Sequence, residues 1–215
     1  MGIYLNPGAG QFLMARSSKI YVDKTMLLRE LDGVFGTEQR FVCVSRPRRF
    51  GKTMAANMVC AYYDRTVTED VFSGLAIARA EGARGRRKCD VLRINMQEFL
   101  SEAQNIEDLL QELKEALLWE LLEEYASLCY RRKDKLRVVM QTIYAATQRP
   151  FVIVIDEWDC IFREYPHDTA AQRKYLDFLR DWLKDKAYIG LVYMTGILPI
   201  KKYGTHSALN MFTEY

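Results

Sequence analysis

The run Phe151-Val152-Ile153-Val154-Ile155 constrains the fold more than any other stretch of the chain. Five successive apolar residues, all but the first β-branched, leave no polar face, so a strand built from them must be covered on both sides. A strand of that kind belongs in the middle of a parallel sheet with helices above and below it. Pro150 precedes the run, where a missing N–H does little harm. Three more short apolar runs share the character: Phe41–Ser45 (FVCVS), Val91–Asn95 (VLRIN) and Ile189–Thr195 (IGLVYMT). Between them lie segments with helical spacing. Thr53–Tyr63 has helical composition, and Ile106–Cys129 repeats Leu109, Leu110, Leu113, Leu117, Leu121, Tyr125 and Leu128 at steps of three and four. Thr169–Lys184 puts Tyr175, Phe178, Leu179 and Trp182 on one stripe. Strands alternating with helices predict right-handed crossovers and an α/β fold: a parallel sheet sandwiched by helices.

Composition narrows the function classes. The chain has 215 residues, of which 49% are hydrophobic and 27% charged, with a net charge of +3. That excludes a disordered segment, which needs low hydrophobicity and high net charge. Cys43, Cys60, Cys89, Cys129 and Cys160 are scattered without CxxC or framework spacing, so free thiols in a reducing cytoplasm are expected rather than a disulfide scaffold. No apolar run reaches the ~20 residues of a membrane-spanning helix. The opening residues lack the basic and apolar regions of a signal peptide. The mild positive charge does not by itself argue for nucleic acid.

Chemistry enters directly after Phe41–Ser45. Arg46-Pro47-Arg48-Arg49-Phe50-Gly51-Lys52-Thr53 ends in G-K-T, between a predicted strand and a predicted helix, as a phosphate-binding loop does. Gly51 would let the backbone curl around phosphate oxygens, Lys52 would reach the outer phosphates of ATP, and Thr53 would offer a hydroxyl to Mg²⁺. The helix N-terminus adds unpaired N–H groups and a favourable dipole. The first glycine of the standard motif is replaced by Arg46. A lone G-K-T occurs by chance as a solvated basic turn; its acidic partner decides between the two readings. Asp156-Glu157-Trp158-Asp159 follows the strongest strand, which is the Walker B arrangement. Asp156 would hold Mg²⁺ alongside Thr53, and Glu157 would act as general base on the attacking water. Thr195, at the end of Ile189–Thr195, stands where such ATPases place a polar sensor of the outermost phosphate, and suits a plain strand end nearly as well.

Taken in order, Tyr21-Val22-Asp23-Lys24-Thr25, the R-P-R-R-F-G-K-T loop, Ile155-Asp156-Glu157-Trp158-Asp159 and Met194-Thr195-Gly196 closely resemble the prokaryotic AAA-ATPase-like family. The resemblance covers the chain from about Ile20 onward. Longer members often continue into a PD-(D/E)XK nuclease-like domain, so a nuclease-like partner in cis is implied. It also implies ATP and Mg²⁺ as ligands, Arg46 as normal for the family, and a nucleotide pocket walled in part by Tyr21–Thr25, with Asp23 among the binding residues. Trp158 and the segment Leu198–Tyr215 depart from the family pattern.

The remaining features are weaker. Arg46, Arg48 and Arg49 suit phosphate or inter-subunit contact, and equally suit solvated charge. Arg84, Arg86, Arg87 and Lys88 lack interleaved aromatics, so a solvated loop is the simpler reading than a nucleic-acid contact. His167 and His206 have no partners at metal-ligand spacing. Trp119 and Tyr125 suit an interface less well than core packing. The expected function is Mg²⁺-dependent ATP hydrolysis. Two alternatives are a nucleotide-gated binding module with rare turnover and, disfavoured by the Asp-Glu pair, a P-loop kinase. An ATPase sheet of this order takes a fifth strand beside Phe41–Ser45 and then a helical lid. Residues 1–215 are therefore expected to be one ATPase domain with an extension over 1–19, lacking its last strand and its lid.

Overall fold

The chain's computed structural model describes residues 2–80, 85–200 and 209–215. Its sheet has five parallel strands in the order β2-β3-β4-β1-β5: β1 (Phe41–Ser45), β2 (Asp90–Asn95), β3 (Phe151–Asp156), β4 (Ile189–Gly196) and β5 (Thr213–Glu214). β3 and β4 are buried at every position, as their unbroken apolar runs require. Each fully buried Val, Leu or Ile side chain there stabilises the fold by about 1.5–3 kcal/mol.

Alternation along the strands divides the core in two. Leu92, Ile94, Phe151, Ile153, Ile155, Val192 and Met194 face one side. That side is covered by α4 (Met96–Glu102), α5 (Ile106–Glu124), α6 (Leu136–Thr147), α7 (Cys160–Glu164) and α8 (Thr169–Leu183). Val91, Val152, Val154, Leu191 and Tyr193 face the other, under α1 (Gly10–Arg16), α2 (Met26–Val34) and α3 (Lys52–Tyr63). The result is the α/β sandwich expected of a P-loop NTPase fold. No helix among the described residues is long and apolar enough to cross a membrane.

Several expectations change. The fifth strand, expected to be missing, is present: Val42 and Cys43 pair in parallel with Thr213 and Glu214, and Tyr215 N–H donates to the Cys43 carbonyl at 2.9 Å. Two residues, both polar, carry no periodic signal, so sequence pattern does not reveal such a strand. α5 ends at Glu124 rather than Cys129. Tyr125 leaves helical geometry while its hydroxyl donates to the buried Asp90 carboxylate at 2.5 Å, where Arg65 Nε (2.7 Å) and Asn6 Nδ2 (2.9 Å) also converge. Tyr125 is thus core, whereas Trp119 is 65% exposed.

The early extension is no free arm. Leu5 bridges Leu92 in antiparallel sense, and the N–H groups of Ile3, Tyr4 and Leu5 all donate to the Glu120 carboxylate at 2.6–2.9 Å. This covers the outer edge of β2, which would otherwise expose unpaired backbone groups.

The basic cluster also folds inward. Arg86 pairs with Asp70 at 2.7 Å, and Arg87 donates to the Thr68 and Glu69 carbonyls. Arg84 and His206 lie outside the described residues.

The thiols divide by position. Burial pushes Cys43, Cys60, Cys89 and Cys160 up to about 12, which leaves them protonated at neutral pH, whereas Cys129 is exposed. Thiolate is the reactive form. A short iodoacetamide pulse on the native chain should therefore label Cys129 alone, read by peptide mass spectrometry, and all five cysteines after unfolding in guanidinium. Native labelling of Cys43 or Cys160 would contradict the packing described here.

Candidate functional site

The C-terminal ends of the central strands meet on one side of the sheet. Register places Asn95 beside Asp156, Val44 beside Thr195, and Ser45 beside Gly196. Ligands of open α/β sheets bind outside this edge. Here a cleft of about 610 Å³ is lined by Arg48, Arg49, Gly51, Lys52 and Thr53 on one wall. Asn95, Gln97, Asp156, Glu157, Arg163 and Glu164 form the other.

The first wall is the loop between β1 and α3. Arg49 and Gly51 adopt left-handed backbone, with φ of +69° and +76°. Gly51 is the N-cap residue just before α3, and only glycine takes that conformation without penalty. At Arg49 it costs about 1–2 kcal/mol. Lys52 is buried and curls back over the loop, its Nζ donating to the carbonyls of Arg46 (2.9 Å) and Pro47 (3.1 Å). Arg48, Arg49 and Thr53 are exposed. Arg46, Pro47 and Phe50 do not line the cleft; Phe50 is 58% exposed and its carbonyl accepts from Lys24 Nζ at 3.1 Å.

Tyr21–Thr25 therefore touches the loop through Lys24. Asp23 is turned elsewhere. Its Oδ1 accepts from the N–H and hydroxyl of Thr25, at 2.8 and 2.6 Å, and its Oδ2 from Ala76 N–H at 2.8 Å. Burial raises its pKa, but these hydrogen bonds outweigh it and hold the carboxyl below its ordinary value. Asp23 pins this segment to the turn at Ala76 and does not line the cleft.

The second wall grows from the end of β3. Asp156 is buried, and its Oδ1 accepts from the Thr195 hydroxyl and from Glu157 N–H. Among the described residues its Oδ2 has no hydrogen-bond donor. Thr195 is fully buried behind Asp156 and outside the cleft lining. Glu157 has a φ of +53°, and its Oε2 accepts from Arg163 Nη2 at 2.5 Å. Trp158 turns inward, fully buried, against Gly196. A Cβ on Gly196 would lie 2.5 Å from the indole nitrogen, so glycine is what admits tryptophan here. Asp159 is buried too, its Oδ2 accepting from the N–H groups of Ile197 and Leu198 at 2.9 and 2.8 Å.

Residues 11–205 match the family described as predicted AAA-ATPase. The chain belongs to this AAA-ATPase-like family. No curated protein matches it. Membership makes the AAA-ATPase-like chain a protein of the nucleotide-binding P-loop type.

Sequence reasoning named Lys52, Thr53, Asp156 and Glu157, which the fold of this AAA-ATPase-like chain brings into one cleft. It missed Asn95, Gln97 and Arg163. Arg163 had a legible signal, since it stands one helical turn after Asp159 and faces it at 3.5 Å. A larger cleft, about 710 Å³, lies by Ile3, Trp119 and Glu120, where the central carboxylate is already filled by backbone donors.

Proposed function

We propose that the chain binds ATP with Mg²⁺ in the cleft between the G-K-T loop and the end of β3, and hydrolyses it. The observation that carries this reading is the facing of Lys52 and Thr53 against Asp156 and Glu157 across one cleft at the C-terminal edge of the sheet. Lys52 would exchange its bonds to the Arg46 and Pro47 carbonyls for the outer phosphates. Arg48 and Arg49 add positive charge on the same wall, suited to phosphate oxygens. The N–H groups at the start of α3 complete the cradle.

The donors present fit Mg²⁺, which takes hard oxygen ligands and keeps several waters. Thr53 offers an exposed hydroxyl, and Asp156 offers Oδ2, which no described donor occupies. Bound there, the ion would neutralise charge on the phosphates. Thr195 would fix Asp156 by donating to its other oxygen. Glu157 would take the proton of the attacking water.

Mg²⁺ should therefore be required: phosphate release from ATP should fall to background when EDTA replaces Mg²⁺. Turnover that survives EDTA would remove Thr53 and Asp156 from the mechanism. One observation favours slow, switch-like turnover over fast hydrolysis: Glu157 is held in an ion pair with Arg163 and must leave it to meet a water. Coupling to a nuclease-like domain in cis is a separate proposal, resting on family resemblance alone.

A further inference from the structure

The wall built on β3 has an odd charge balance. Asp156, Glu157 and Glu164 line the cleft and Asp159 is buried behind them, so a triphosphate must approach four carboxylates. Arg163 is the cation on that wall among the described residues. Its guanidinium is pulled three ways: to Glu157 Oε2 at 2.5 Å, to Asp159 Oδ2 at 3.5 Å, and to Gln97 Oε1 at 3.4 Å. These contacts use it incompletely. Nε is buried without a hydrogen bond, and the guanidinium's bonds to Glu157 and Gln97 both run from Nη2. A guanidinium carries five N–H donors in a fixed fork suited to phosphate.

Resting on the function proposed above, we infer that Arg163 reads the terminal phosphate of the nucleotide and controls Glu157 by exchanging partners. In the structure Arg163 occupies Glu157 Oε2, so that oxygen is turned to the guanidinium rather than to a water. A terminal phosphate offers the guanidinium a more highly charged acceptor, with several oxygens for its unused donors. Arg163 turns to it and Glu157 is released toward the water. A diphosphate lacks that acceptor and leaves the pair closed. Arg163 is thus a residue of nucleotide specificity and, toward Glu157, a positioning residue. Asp159 holds it on the turn between the two roles and ties that turn to the N–H groups after β4.

The test is a double-mutant cycle on nucleotide affinity, with fluorescent ATP and ADP analogues binding to the parent, R163Q, E157Q and R163Q/E157Q. R163Q should weaken ATP by roughly ten- to a hundredfold, the worth of a charge-assisted hydrogen bond, while ADP affinity stays within about threefold. E157Q frees the guanidinium in advance, so it should tighten ATP by about three- to tenfold and leave ADP unchanged. In the R163Q background that tightening should vanish. Equal tightening in both backgrounds would mean simple relief of charge repulsion and would overturn the inference. So would equal loss of ATP and ADP in R163Q. If R163Q does not fold, R163K takes its place in the cycle, and an E157Q tightening that is as large in that background as in the parent sinks the idea. A parent chain that binds neither nucleotide would instead refute the function on which this rests.

Discussion

Glu157→Gln should abolish ATP turnover while ATP still binds: a loss of roughly 10²–10⁴-fold, the usual contribution of a positioned general base. Glutamine keeps the shape and a hydrogen-bonding oxygen but cannot accept the water's proton. The geometry makes the substitution tolerable. Glu157 is partly exposed, its backbone N–H donates to Asp156, and the neighbouring turn is fixed by the buried Trp158 and Asp159. The left-handed backbone at Glu157 persists in the variant, since glutamine adopts it at a similar cost. Steady-state phosphate release beside fluorescent-nucleotide binding separates the two effects. Hydrolysis at the parental rate would show that Glu157 is not the base.

Lys52→Ala should act one step earlier and remove ATP binding, by about a hundredfold or more for loss of a charged donor to two phosphates. Lys52 is buried where it stands, and its ammonium closes the loop by bonding the Arg46 and Pro47 carbonyls. The variant therefore loses the proposed phosphate ligand and this clasp on the loop together. The rest of the loop is held independently: Arg46 N–H donates to Gly196 O at 3.0 Å, and Gly51 O accepts from Ala55 N–H at 2.9 Å. Circular dichroism and melting temperature should stay close to the parent. A Lys52→Ala chain that binds ATP with parental affinity would place the nucleotide elsewhere.

The parts of the fold legible in sequence are those whose signal is collective. β1 and β3 need several apolar residues in a row to be buried, and those runs place both strands to within a residue. The cleft was legible for a related reason: G-K-T and Asp-Glu each follow a strand, and parallel strands bring their ends to one edge. What was not legible depends on single side chains or on very few residues. β5 is two polar residues, recognisable only beside β1. Asp23 and Lys24 are adjacent, and which of them reaches the loop is settled by the turn at Ala76. The pairing of Arg163 with Glu157 requires the chain to turn sharply after β3, and Trp158 packing on Gly196 fixes that turn.

The strand order also sets when the nucleotide cleft can exist during synthesis. β1 leaves the ribosome ahead of its neighbours in the sheet, β4 and β5, which begin at Ile189 and Thr213. At about 5–20 residues per second, roughly seven to thirty seconds pass before β4 follows it. Throughout that interval Phe41-Val42-Cys43-Val44 is an apolar segment with no strand to pair with. Of the strands in the sheet, the one that leads into the G-K-T loop thus waits longest for a neighbour.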